Sequence, residues 1–328
     1  MKAWPRRRLM VILAVLVVVL AAASLTVGKA DVPLSAWFAA ADDPRWIIIL
    51  ELRIPRTLLG VLIGAALGMS GAALQGYTRN PLADPTILGV SSMAAFGAVM
   101  TFYLGALGAV PWVVSAGAMA GAMVGIGALL ALTGATTGIV TFVLAGVVLN
   151  IVAGAGVSLA LSLAPDPWAV EQIVTWLMGA LTDRAMSDVW IAAPCIFVGC
   201  ALVLSTGRAL DALTLGELGA RSLGIDLSRA RLALAAGIGL AAGASVAVSG
   251  VVGFVGLVTP HLLRPLVGAR PGALLWPSAL GGAALVLVAD MAVRLAPSTA
   301  EVKLGVAMAV LGGPFFLALL LSARRRLG

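Results

Sequence analysis

The side chains able to do chemistry are few in this chain, and their spacing narrows what they could do. There is one histidine, His261, within Val258-Thr259-Pro260-His261-Leu262-Leu263-Arg264. It has no second histidine or neighbouring carboxylate to orient it, which argues against a metal ligand or general base and for a structural side chain. The patterns HExxH, CxxC, GxSxG and the P-loop are absent. Asp290 lies deep in an apolar run, where an acid is a functional candidate by default. Arg294 follows it at i+4, the order that favours a helical ion pair, so local pairing outweighs proton carriage. No chain of buried ionisable groups accompanies it, and an ion-coupled pump would have little to work with. Cys195 and Cys200, at i and i+5 of one apolar run, read as inert core residues. Arg53, Arg56 and Arg294 each stand at the mouth of a span. Any one of them alone would be an interfacial anchor. Arg53 and Arg56, at i and i+3 and facing outward, make a better docking patch for carboxylates.

The elements that position these residues are membrane helices. The chain has 328 residues, 61% of them hydrophobic and only 11% charged, with a mean hydropathy of +1.10. Long uncharged runs recur from end to end, as expected of a polytopic membrane protein. Thirty-nine glycines with 5% aromatic residues fit tightly packed helices and not a barrel. The net charge of +7 is explained by topology and requires no nucleic acid. Leu52–Gly89 organises the rest: Arg53-Ile-Pro-Arg56, then Gly60, Gly64 and Gly68 four residues apart, then the stiff turn Arg79-Asn80-Pro81-Leu82-Ala83-Asp84-Pro85. Glycines at that spacing open a groove for a second helix backbone.

Ten spans are expected, at roughly 9–28, 46–77, 86–106, 111–133, 138–163, 187–206, 230–250, 252–267, 273–294 and 303–322. Residues 1–28 imitate a signal peptide, but the length of the apolar run favours an uncleaved first span. With both ends in the cytoplasm, fourteen basic residues fall inside and seven outside, which satisfies the positive-inside rule. An outer loop, 164–187, has the pattern of a short interfacial helix. An inner loop, 207–231, places Leu210, Leu213, Leu215, Leu218 and Leu223 between glycines, as in two short amphipathic helices that need a partner. Ser70-Gly71 and Ser249-Gly250, each ten residues before a proline, form a faint internal echo.

These stretches resemble, nearly throughout, the FecCD-type permease subunits of bacterial ATP-binding-cassette importers for iron chelates (siderophores, haem) and vitamin B12. The matching residues are RIPR with GAALGMSGAALQ, RNPLADPTILG, LGELGARSLG, GFVGLVTPHLLR, LVADMAVRL and LGGPFF. The resemblance implies the all-α type II importer transmembrane fold, one permease domain over 1–328, paired with a second copy in the inner membrane. It implies two ATPase subunits below, which carry ATP and Mg, and a periplasmic substrate-binding protein above. This chain would then hold no cofactor, no metal and no catalytic residue. By matched position, Gly216, Glu217, Ala220, Leu223 and Gly224 would couple to the ATPase. Arg53, Arg56 and Arg294 would meet glutamates of the binding protein, and Asn80 and Leu82 would form a cytoplasmic gate. The loop that completes such a gate reads GATTGIVTF and departs from the family pattern; Thr136 and Thr137 are its nearest counterparts.

Overall fold

Uncharged runs of about 20 residues become helices in lipid because a helix satisfies its own backbone hydrogen bonds. The computed structural model describes residues 5–30, 32, 37, 43, 45–104, 112–134, 138–268, 270–297 and 301–327. Its helices are α1 (Arg6–Thr26), α2 (Arg45–Ile47), α3 (Ile54–Thr78), α4 (Val90–Tyr103), α5 (Val113–Thr133), α6 (Ile139–Ser162) and α7 (Pro167–Leu177). They continue as α8 (Met186–Ser205), α9 (Gly207–Ala212), α10 (Gly216–Ser222), α11 (Leu227–Ser249), α12 (Val255–Val267), α13 (Pro271–Leu295) and α14 (Leu304–Leu327). A π-helical stretch, Ile48–Arg53, joins α2 to α3 into one span. Among the described residues there is no strand.

Among the described residues, seven spans are long and apolar enough to cross a membrane: α1, α2–α3, α5, α6, α8, α11 and α13. The other three expected spans fall on the shorter apolar helices α4, α12 and α14. Two expected boundaries are corrected. Spans 86–106 and 252–267 contain helices of only 14 and 13 residues. At 1.5 Å per residue these reach about 20 Å, short of a hydrocarbon core of about 30 Å. Each is cut at its start by backbone that cannot continue as an α-helix. Asp84 caps a 3-10 turn, Pro85–Leu88, and Gly89 is left-handed at φ 73°. Ahead of α12, Gly250 (φ 70°) and Phe254 (φ 67°) are left-handed as well. Non-helical backbone at membrane depth is tolerated where protein covers it. Here it is covered: Ala180 N–H donates to the Ser249 carbonyl and Gly305 N–H to that of Gly179.

α3 lies at the centre, packed against α8, α11, α12 and α13. The glycine groove expected on it is real, and α13 fills it. A Cβ on Gly64 would stand 2.4 Å from the Gly282 carbonyl oxygen, and one on Gly68 would stand 2.1 Å from that of Ser278. Gly60 differs, because its neighbour is the flexible end of Leu287 at 3.3 Å. Gly68→Val should therefore force two backbones apart and cost at least about 2 kcal/mol, whereas Gly60→Ala should cost far less. Thermal unfolding of the purified chain in detergent checks both. The two serine–glycine pairs sit differently in their helices: Gly71 lies inside α3 against Gly256, whereas Gly250 ends α11.

Candidate functional site

At one end of the bundle, α1 stops at Thr26 with no basic residue in its last turn, so its final carbonyls need donors from elsewhere. Two arginines from other helices supply them. Arg53 Nη1 donates to the carbonyls of Leu25 (2.8 Å) and Thr26 (2.9 Å), and its Nη2 to that of Ala30 (2.6 Å). Arg294 Nη1 donates to Ser24 and Val27, both at 2.9 Å, and its Nη2 to Ser24 Oγ at 2.6 Å. Cations over a helix C-terminus also complement its dipole.

Asp290, 1% exposed, lies between the guanidiniums of Arg294 and Arg56. Arg294 Nη2 reaches its Oδ2 at 2.5 Å, which is the i, i+4 pair expected from sequence. Arg56 adds a fork from α3, with Nε at 3.0 and 3.1 Å and Nη2 at 2.8 Å. The same Arg56 Nη2 also donates to Glu301, just before α14. α1, α3, α13 and the start of α14 are thus tied by one charge network. Arg53 and Arg294 are buried, at 5% and 6% exposed, and the Arg56 side chain is 12% exposed.

Burial alone would raise the Glu301 carboxyl, but hydrogen bonding to Arg56 outweighs it and holds the group below the ordinary glutamate range. A lowered folded value stabilises above the unfolded value of about 4.3, and that stabilisation is lost as pH falls through the folded one. Melting of the wild-type chain should therefore drop more steeply below about pH 5 than that of Glu301→Gln. Equal slopes would show that Glu301 adds nothing to the network.

Beside this network the 164–187 loop contains the short helix expected from sequence, α7, capped by Asp166 accepting from Ala169 N–H at 2.8 Å. A cavity of about 630 Å³ opens there, lined by Trp168, Trp176, Glu171, Asp183, Arg184 and Lys303 among others.

At the opposite end of the bundle the 207–231 loop folds as α9, a 3-10 turn at Leu213–Leu215, and α10. Its apolar residues divide. Leu210 and Leu213 are each 1% exposed and tie the loop to the bundle, while Leu215, Leu218 and Leu223 are 67%, 82% and 62% exposed. Leu215 and Leu218 are absent from the coupling residues named by resemblance, although the apolar pattern of the loop includes them. Ala220, on the inner face of α10, is fully buried. Gly216 (φ 87°) and Gly224 (φ 76°) adopt left-handed turns at the two ends of α10. Glu217 Oε1 accepts from the N–H of Ile139 at 3.3 Å, which sets an anionic side chain on the first turn of α6. α10 is thereby linked to the start of a membrane span.

Sequence reasoning missed Arg231, which entered it only as one of the fourteen basic residues counted inside. It is 3% exposed, and its Nε donates to Tyr77 Oη at 2.8 Å, with the Tyr77 ring edge-on to Phe142. Asn80 and Leu82 form a turn in which Asn80 Oδ1 accepts from Leu82 N–H at 3.0 Å. Thr136 and Thr137 lie outside the described residues. His261 packs edge-on against Phe315, and no metal-binding group of residues occurs among the described residues.

This arrangement, a glycine-packed bundle with backbone breaks ahead of α4 and α12 and an apolar knob on one end, has known counterparts. A family model described as the FecCD transport family matches residues 15–322. The chain belongs to that family. Among similar proteins, the hemin transport system permease protein HmuU of Yersinia pestis is 38% identical over 319 residues, 96% of this chain and 95% of the relative. The vitamin B12 import system permease protein BtuC of Shigella boydii is 37% identical over 320 residues, 97% and 96% of the two chains. Among solved structures, a metal-chelate type ABC transporter in an inward-facing conformation superposes with a TM-score of 0.87 at 28% identity. The match covers 96% of this chain and 99% of that one.

Proposed function

We propose that this chain is the permease subunit of an ATP-driven importer that moves an iron chelate, siderophore or haem, across the bacterial inner membrane, with cobalamin as the other cargo of the same class. The observation that carries the reading is the family match across the chain, with similar proteins named for hemin and for vitamin B12. The chain would work as a single membrane domain paired with a second copy, both termini in the cytoplasm. Two ATPase subunits would bind below and supply hydrolysis through ATP and Mg, which this chain does not itself carry. A periplasmic binding protein would deliver cargo from above.

The geometry supports each part differently. Leu215, Leu218 and Leu223 form an apolar knob suited to an ATPase groove, flanked by Gly216, Glu217 and Gly224 and seated on the buried Ala220. The Glu217–Ile139 bond would pass motion of that knob to α6. Halfway along α6 the exposed Asn150 bonds Ser92 of α4. A polar side chain there is costly against lipid, so this face would meet water or the second copy. Carboxylates of a binding protein would meet Arg53, Arg56 and Arg294, competing with Glu301 for Arg56 while Arg53 and Arg294 hold α1. Asn80 and Leu82, with Thr136 and Thr137, would close the inner gate. A stand-alone secondary transporter is disfavoured because Asp290, its natural ion carrier, is neutralised by two arginines.

The test is ATPase stimulation of the assembled transporter, with its binding protein present, by haem, ferric siderophores and cobalamin in turn. One of them should raise turnover severalfold. Silence toward all three would remove the cargo assignment.

A further inference from the structure

The ends of α3, α12 and α13 that meet the 207–231 loop enclose a cavity of about 270 Å³ lined by Gln75, Arg79, Thr214, Arg264 and Arg270 among others, and no carboxylate lines it. We propose that this cavity is a binding site for a phosphate-bearing anion, a phospholipid headgroup or free phosphate, seated against the coupling segment. Anion binding in this cavity does not depend on the transport reading; only the naming of its neighbour as the coupling segment rests on that reading.

The argument starts at Pro260. A proline in the middle of α12 has no N–H, which leaves the Gly256 carbonyl without its helical partner. Gln75, 2% exposed on α3, supplies the missing donor: its Nε2 lies 3.3 Å from the Gly256 oxygen and 3.4 Å from that of Leu257. This fixes the amide, so its Oε1 points the other way, where it accepts from Arg264 Nη2 at 2.6 Å. A buried amide therefore holds a half-buried guanidinium at the cavity wall. Ordinary interfacial arginines extend freely to water, and the positive-inside rule asks no more of them.

Two further cations face the same space. The side chains of Arg79 and Arg270 are exposed and make no hydrogen bond or ion pair among the described residues. The nearby carboxylate of Asp211 is turned to the start of α13, where it accepts from Gly272 N–H at 2.8 Å. Three guanidiniums around a space without a counter-ion, one of them pre-positioned, match a phosphate, which arginine binds through paired N–H groups. Thr214 belongs to the coupling segment, and Arg79 Nη1 lies 3.9 Å from where a Cβ on Gly216 would be. An occupant would therefore brace the start of α10.

The test uses the full chain purified in detergent. Phosphatidylglycerol, phosphatidylcholine and inorganic phosphate are compared by native mass spectrometry and by melting. Phosphatidylglycerol should be retained and should raise the melting temperature over phosphatidylcholine. Each of Arg79→Gln and Arg270→Gln, both at exposed positions, should weaken it roughly fivefold. Stabilisation by millimolar phosphate alone, lost in the same variants, would assign the site to soluble phosphate; an effect of the lipid alone would assign it to headgroups. Wild-type protein indifferent to both anions, or the double variant responding as wild type does, would overturn the proposal.

Discussion

Asp290→Asn should destabilise this protein more than any other single polar substitution, by about 3–5 kcal/mol. The amide keeps the shape of the carboxylate but leaves Arg56 and Arg294 buried over a neutral group. Glu301 can still hold Arg56, so the loss falls mainly on Arg294 and, through it, on the end of α1. Removing a buried charge pair together is often nearly neutral, because both desolvation costs vanish with it. Asp290→Leu with Arg294→Leu should nevertheless stay well below wild type, because the carbonyls of Ser24 and Val27 lose their donor. Thermal unfolding in detergent distinguishes the cases. A double variant as stable as wild type would show that the α1 cap contributes nothing.

Leu218→Asp should abolish ATPase attachment while leaving the permease as stable as wild type. Leu218 is 82% exposed and contributes little to the fold, and a charge there costs nothing in the isolated chain. In an interface, loss of a central apolar anchor is worth about 2 kcal/mol or more, roughly thirtyfold in affinity. Glu217 separates attachment from transmission. Glu217→Arg replaces the anion on the first turn of α6 with a cation at a position that favours negative charge, and should lose both the partner and the link. Glu217→Gln keeps an acceptor for the Ile139 N–H and should retain assembly. Co-purification of the ATPase, with melting of the permease as the control, gives the result. Intact assembly in Leu218→Asp would move the ATPase surface elsewhere.

Much of the fold is legible in the sequence because lipid leaves the backbone so few options. Among the described residues the ten expected, largely apolar runs become ten helical segments, and the glycines of α3 become the seat of α13. Helix length is less legible. The breaks before α4 and α12 depend on left-handed residues such as Phe254, whose type gives no warning of it. The inner loop is readable as two amphipathic helices, but burial divides its leucines, and no periodicity could separate Leu213 from Leu215. The arginines are the least legible. Sequence places Arg53, Arg56 and Arg294 at outer mouths, where docking and anchoring predict the same residues. That two of them cap α1 follows only from three helices meeting, as does the burial of Arg231 against Tyr77.

The central claim is that this chain guides cargo and a separate ATPase, held at Leu215, Leu218 and Leu223, drives it. Uptake of a cognate chelate into proteoliposomes, with and without the ATPase subunit and ATP, tests this most directly. The account predicts uphill uptake only when permease, ATPase, ATP and binding protein are all present, and none with Leu218→Asp. Uphill uptake by the permease alone, driven by an ion gradient, would contradict it.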